Sequence, residues 1–168
     1  ERVIQEQASG WHALFVPEDW LPAASEAGLL TRTGCRFHWQ NHGYRDFSDF
    51  LDTLTSKKRK DIRRERRLLA EKGIRCRVQS GPDISPADTG FFVDCYTRTY
   101  HEHGQHPYLN LAFFQHLFRS MPDQVLLVTA EDDAGPMASA LFLHDQTTLY
   151  GRYWGCLRRA DGLHFELC

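Results

Sequence analysis

The sequence predicts an α/β domain in which helices flank a mixed, mostly antiparallel sheet. Three observations carry that reading. Residues 124–130, 136–143 and 148–155 are apolar runs of strand length, joined by the short turns Asp132-Asp133-Ala134-Gly135 and Asp145-Gln146-Thr147. That is the pattern of an antiparallel meander. Upstream, capped segments repeat apolar residues at helical spacing. Residues 33–40 and 74–79 alternate apolar and polar side chains with the period of two that a half-buried strand needs.

In chain order, a short helix is followed by a strand over Trp11–Val16. A helix over about 18–27 has Gly28 as its C′ residue. The strand Thr33–Gln40 sets Cys35, Phe37 and Trp39 on one face, and Asn41-His42-Gly43 turns the chain. A helix near 46–54 carries Phe47, Phe50, Leu51 and Leu54 at i, i+3, i+4, i+7. A strongly basic helix runs from near Ser56 to Gly73, before the strand Ile74–Gln79. Ser85-Pro86-Ala87-Asp88 offers an N-cap, a first-turn proline and an acid at N3. Its helix has a stripe of Phe91, Phe92, Cys95, Tyr96 and Tyr100. Asn110 caps another, with Phe113, Phe114, Leu117, Phe118 and Met121 on one face. After the meander, 158–163 is a loop and a helix begins near His164. The boundary between lobes is expected near 41–56.

Several classes are excluded. No apolar run approaches the roughly 18 residues of a membrane span, and the polar start Glu1-Arg2-Val3-Ile4-Gln5 has no secretory h-region. Five separated cysteines, with no C-x-x-C pair, argue against a disulfide scaffold and a cysteine zinc site. A reducing, cytoplasmic location is the simplest expectation. His101, His103 and His106 cluster beside Glu102, but nothing else supplies a spaced partner, so no metal is expected. The chain begins without Met and ends in what reads as the first turn of a helix, so further sequence is expected on both sides.

Charge is uneven. Residues 57–67 hold eight basic residues and two acids, a net +6, so the remaining residues carry −8 to give the chain's −2. On a helical wheel Ile62 and Leu69 share a narrow stripe, while Lys57, Lys60, Arg63, Arg64 and Arg67 occupy the opposite arc. A helix shaped only for solubility intersperses its signs to gain i,i+4 pairs. Segregated cations repel one another unless an anion faces them. Phosphate suits them through charge-assisted bonds; an acidic neighbour within the chain is the alternative. The helix lacks interleaved aromatics for base stacking, and DNA is not expected as a partner.

Ser56-Lys57-Lys58-Arg59-Lys60-Asp61-Ile62-Arg63-Arg64 resembles the K-x-R-x-x-I-R-K stretch of Fem-type transferases. FVDCYTRTY (92–100), Pro107-Tyr108-Leu109 and the strands 125–130, 137–143 and 149–155 resemble later parts of that family, in order. RTGCRFHW and LYGRYWGCL with GLHFELC are similar to the bacterial Fem-like (FemAB/FemX-type) group labelled peptidoglycan biosynthesis or GNAT family. The resemblance covers nearly the whole chain. It implies a GNAT-like acyltransferase fold, with residues 1–45 the tail of a first lobe and 46–168 most of a second, truncated at its C-terminus; were the chain to end at Cys168, that lobe would lack its closing helix and last strands and is expected to be inactive. It also implies acyl or aminoacyl transfer to an amine, with aminoacyl-tRNA as donor and a peptidoglycan precursor as acceptor.

Acetyl-CoA enzymes of the GNAT type bind pyrophosphate with R/Q-x-x-G-x-G/A at a strand-to-helix turn. Here the matching place reads Arg159-Ala160-Asp161-Gly162-Leu163-His164. The final His blocks close backbone approach, so a Fem-like donor is favoured over acyl-CoA. Transfer to an amine needs a base and oxyanion donors. His164 and Glu166 beside the loop, and Tyr150 and Tyr153 on the last strand, are the candidates. Arg152, Arg159 and Gly162 join the basic helix as candidate anion ligands. Period-two alternation places Tyr150, Arg152 and Trp154 on one face of that strand and Gly151, Tyr153 and Gly155 on the other. Cys156 lacks a nearby His/Asp pattern and reads as a small buried residue. An acetyl-CoA-dependent N-acetyltransferase and a non-catalytic RNA- or phosphate-binding module are the competing readings.

Overall fold

The computed structural model describes residues 10, 12–14, 16–35 and 37–168. The expected first helix, together with Trp11, Phe15 and Arg36, lies outside them. The chain divides into two compact units, Glu1–Tyr44 and Arg45–Cys168.

In the first unit a 3-10 turn, Glu18–Trp20, leads into α1, Leu21–Glu26. Gly28 follows in the left-handed region, φ 74°, as expected for a C′ residue. Asn41 turns the chain by accepting from the backbone N–H groups of Gly43 and Tyr44 at 2.9 and 2.7 Å. The expected strands at 11–16 and 33–40 are not formed by their described residues. Alternation supplies two faces but not a second strand to pair with, and pairing is what stabilises a strand.

The second unit contains α2 (Phe47–Asp52), α3 (Ser56–Glu71), β1 (Arg75–Ser80), α4 (Pro86–Glu102), α5 (Leu111–Ser120), β2 (Val125–Asp132), β3 (Gly135–His144), β4 (Leu149–Cys156) and α6 (Leu163–Leu167). Among the described residues the four strands lie in the order β1-β2-β3-β4, and every pairing is antiparallel. Caps fix the helices where the sequence places them. Asp46, Thr55, Ser85 and Asn110 each accept from a first-turn N–H, and Ser85 with Asp88 forms a full capping box. At the end of α3, the Ile74 N–H bonds Leu69 O and the Gly73 N–H bonds Ala70 O, a Schellman closure that needs the left-handed φ of 72° at Gly73.

Helices cover both faces of the sheet. On one, Phe92 and Tyr96 of α4 and Phe114 and Phe118 of α5 pack on Val125, Leu127 and Leu141. On the other, Leu163 and Leu167 of α6 pack on Val128, Ala130, Ala138, Ala140 and Phe142. This two-sided burial explains why β2 and β3 read as continuous apolar runs. Each large core side chain contributes about 1.5–3 kcal/mol on burial.

α4 approaches β4 closely. Gly155 lies against the backbone carbonyl of Cys95, and a Cβ there would overlap it and come within 2.8 Å of Thr99 Oγ1. Thr99 Oγ1 donates to Trp154 O at 3.0 Å and locks the same crossing. At the far end of the unit, Asp88 accepts from Arg77 at 2.8 Å, Ser85 Oγ at 2.6 Å and Gln79 at 3.0 Å. Burial alone raises its carboxyl, but the bonds from Arg77, Ser85 and Gln79 outweigh it and hold the group well below the usual carboxylate range.

Gly155→Ala is expected to cost about 1–3 kcal/mol in urea unfolding through overpacking. Gly151→Ala, whose Cβ meets Phe142 at an ordinary 3.7 Å, is expected to change stability by less than about 0.5 kcal/mol; equal effects would contradict this account. The depressed Asp88 carboxyl contributes stability that is fully present above the unfolded value, about 3.9, and is lost as pH falls toward the native value. The stability gap between the wild type and Asp88→Asn should therefore be widest at pH 7 and narrow below about pH 4. A gap independent of pH would refute it.

Candidate functional site

Two cavities lie in the second unit. One, of about 380 Å³, runs beside β4 and is lined by Thr99, Glu102, Trp154, Arg159, Gly162 and His164, among others. β4 is the last strand of the sheet, so its outer row of N–H and C=O groups faces no strand among the described residues. The loop after it is pinned from behind. Arg158 makes paired bonds to Asp132 at 2.8 and 2.7 Å and a third to Gly135 O at 2.6 Å. Gly162, at φ 80°, turns the loop into α6. Cys156 is half-buried on the same wall, and burial pushes its thiol up, which fits the inert role expected of it.

Arg159 donates to Glu102 at 2.9 Å in the lining of this cavity, and Glu102 also accepts from Arg98 at 2.9 Å. The guanidinium of Arg98, then that of Arg159, holds the Glu102 carboxyl below its ordinary value. The sequence offered only half of this: Arg98 and Glu102 are spaced i,i+4, but nothing local ties either to a loop 57 residues further on. Among the described residues no three His, Cys, Asp or Glu side chains come together as a metal set.

His164 is exposed and lies against Trp154, ring centroids 4.7 Å apart. Glu166, expected to work beside it, does not. Its carboxylate accepts from Arg66 Nε at 3.1 and 3.0 Å, in the other cavity. Residues two apart on a helix project about 200° apart, so α6 sends the two side chains to opposite sides.

The alternation expected along β4 is also corrected. β3 and β4 slip register between Leu141 and Phe142: Leu141 faces Tyr153, Phe142 faces Gly151, and Arg152 is the extra residue of a bulge. Tyr150 and Tyr153 therefore share the face toward α4 and α5, where their partners Leu143 and Leu141 lie. Trp154 sits on the other face with Ala140. Tyr150 is exposed and donates to Asp145 at 3.0 Å, outside either cavity. Tyr153 packs on Tyr96, centroids 5.0 Å apart, with its hydroxyl 2.8 Å from that of Tyr108. The Arg152 guanidinium lies 5.2 Å over the Tyr153 ring. Burial pushes the Tyr153 phenol up, while hydrogen bonds with Tyr153 and then Tyr100 pull the Tyr108 phenol down.

The second cavity, about 460 Å³, lies among α2, α3, β1 and α6. It splits the cationic arc of α3. Arg63 and Arg67 line it, joined by Arg66, whereas Lys57, Lys60 and Arg64 do not. The alternative of an internal acidic partner accounts for little of that arc. Arg67 reaches Glu71 at 3.4 Å with both side chains exposed, a pair worth about 0–1 kcal/mol. Among the described residues, Lys57, Lys60, Arg63 and Arg64 have no ion pair; Arg59 pairs with Asp52 and Arg66 with Glu166. Arg66 was missed because its wheel position lies off the arc and its partner comes from a remote helix.

Tyr153→Phe should return the Tyr108 phenol upward toward the ordinary value of about 10, read by NMR titration of ring-labelled tyrosine. An unmoved Tyr108 titration would remove the hydrogen bond as the cause.

No helix among the described residues is long and apolar enough to cross a membrane. A family model for the FemAB-like family, described as peptidoglycan biosynthesis/recognition, matches residues 1–168, the whole chain. No curated protein matches it.

Proposed function

We propose, on the premise that the chain belongs to the FemAB-like family, that it transfers an acyl or aminoacyl group to an amine of a peptidoglycan precursor in the cytoplasm. The cavity beside β4 carries this reading, because it sets His164 and Arg159 around one space. Arg159 exchanges Glu102 for an anionic group of the donor. His164 takes the proton of the acceptor ammonium. The amine nitrogen then bonds the acyl carbon and the bond from that carbon to the donor oxygen or sulfur breaks; of the two protons the nitrogen loses between ammonium and amide, one passes to the leaving group and the other is released to solvent.

The remaining candidates take supporting parts. Tyr150 and Tyr153 hold β4 from the α4–α5 side, Arg152 stands at the rim, and Glu166 positions Arg66. Arg63 and Arg67 of α3 meet a phosphate of the donor or acceptor, with aminoacyl-tRNA favoured over acyl-CoA. The unpaired cations of α3 also support a second reading, a phosphate-binding recognition module without chemistry.

Mass spectrometry of the full-length protein incubated with aminoacyl-tRNA or acetyl-CoA and a UDP-linked precursor should show a new amide. His164→Ala should lower kcat by on the order of 10²–10⁴, and Arg159→Ala should act mainly on KM. tRNA binding without product from any donor would replace transfer with recognition.

A further inference from the structure

We infer that the cavity among α2, α3, β1 and α6 is a binding site for a phosphate ester with an apolar body. This rests on the reading that α3 meets a phosphate, and narrows it from a helix face to a pocket. The charged lining is Arg63, Arg66, Arg67 and Glu166, a net +2, which matches a phosphate monoester of about −1.5 to −2 at pH 7. Glu166 occupies only Nε of Arg66. Among the described residues the two terminal nitrogens of Arg66 have no hydrogen-bonded acceptor, nor has Arg63 an ion pair. Glu166 thus fixes the guanidinium while leaving its fork to an incoming oxyanion.

The rest of the lining is not that of a bare charge patch. Phe47, Leu51, Leu69 and Ile74 make an apolar floor, with Leu51 and Leu69 buried. The Arg66 guanidinium sits 4.8 Å over the Phe47 ring, at the junction of the cationic rim and that floor. The volume of about 460 Å³ lies within the range of small-molecule sites. Inorganic phosphate would use the rim alone; an esterified phosphate would use both.

Calorimetric titration of the full-length protein with inorganic phosphate, phenyl phosphate and octyl phosphate tests this. Both esters should bind at least about tenfold more tightly than phosphate, as burial of their apolar groups requires. The ratio of the two esters tells an aromatic body from a hydrocarbon one. Phe47→Ala should erase most of the ester advantage. Arg63→Gln and Arg67→Gln should each weaken phenyl phosphate at least about fivefold, as loss of a charge-assisted bond implies. Lys60→Gln and Arg64→Gln, on the same helix but outside the cavity, should weaken it less than twofold. Thermal unfolding of each variant checks that the fold is kept, and the two arginine variants test the rim independently. Equal losses across all four α3 variants would overturn the pocket and leave the broad cationic face. Esters no tighter than phosphate would overturn the apolar subsite. Neither result depends on transfer chemistry at His164.

Discussion

The contact of Gly155 with the Cys95 carbonyl governs the geometry of the second unit. Only a residue without Cβ lets α4 come this close to β4. Thr99 then bonds the Trp154 carbonyl, and the next turn of α4 brings Glu102 to Arg159. The cavity beside β4 is therefore a product of helix–strand separation. A wider crossing would part Glu102 from the loop and remove one wall.

The bulge at Arg152 does a second job on the same strand. It adds one residue between Tyr150 and Tyr153, so both phenols fall on the α4–α5 side and Trp154 falls opposite. Tyr153 joins the aromatic core and Trp154 backs His164. Without the bulge a strict period of two would set Tyr150 and Trp154 together. Tyr153 would then fall on the α6 side and Trp154 on the α4–α5 side, and each would lose its present partners.

What the sequence revealed follows how local each cause is. Ser85 and Asp88 cap α4 from three residues apart, and the β2–β3–β4 meander depends on short turns, so both were legible. Residues 33–40 show a strand pattern, but a strand also needs a partner that no pattern within it can supply. The Arg152 bulge depends on register against Phe142, and the Arg159–Glu102 and Arg66–Glu166 pairs join elements 57 and 100 residues apart. The cationic arc of α3 was legible as charge. Its division between cavity wall and open surface was not, because α2 and α6 impose it.

α6 is where these constraints meet. Leu163 and Leu167, spaced i,i+4, anchor one side of a single turn in the core. The residues between them must then point elsewhere, and the helical period sends His164 to the cavity beside β4 and Glu166 to Arg66. One buried pair of leucines thus sets a side chain in each cavity. The fold draws its stability from the apolar layers on both faces of the sheet, about 1.5–3 kcal/mol per large side chain, rather than from exposed ion pairs of α3 worth about 0–1 kcal/mol. Its cations are not needed to hold the helix in place, which leaves them available to a ligand.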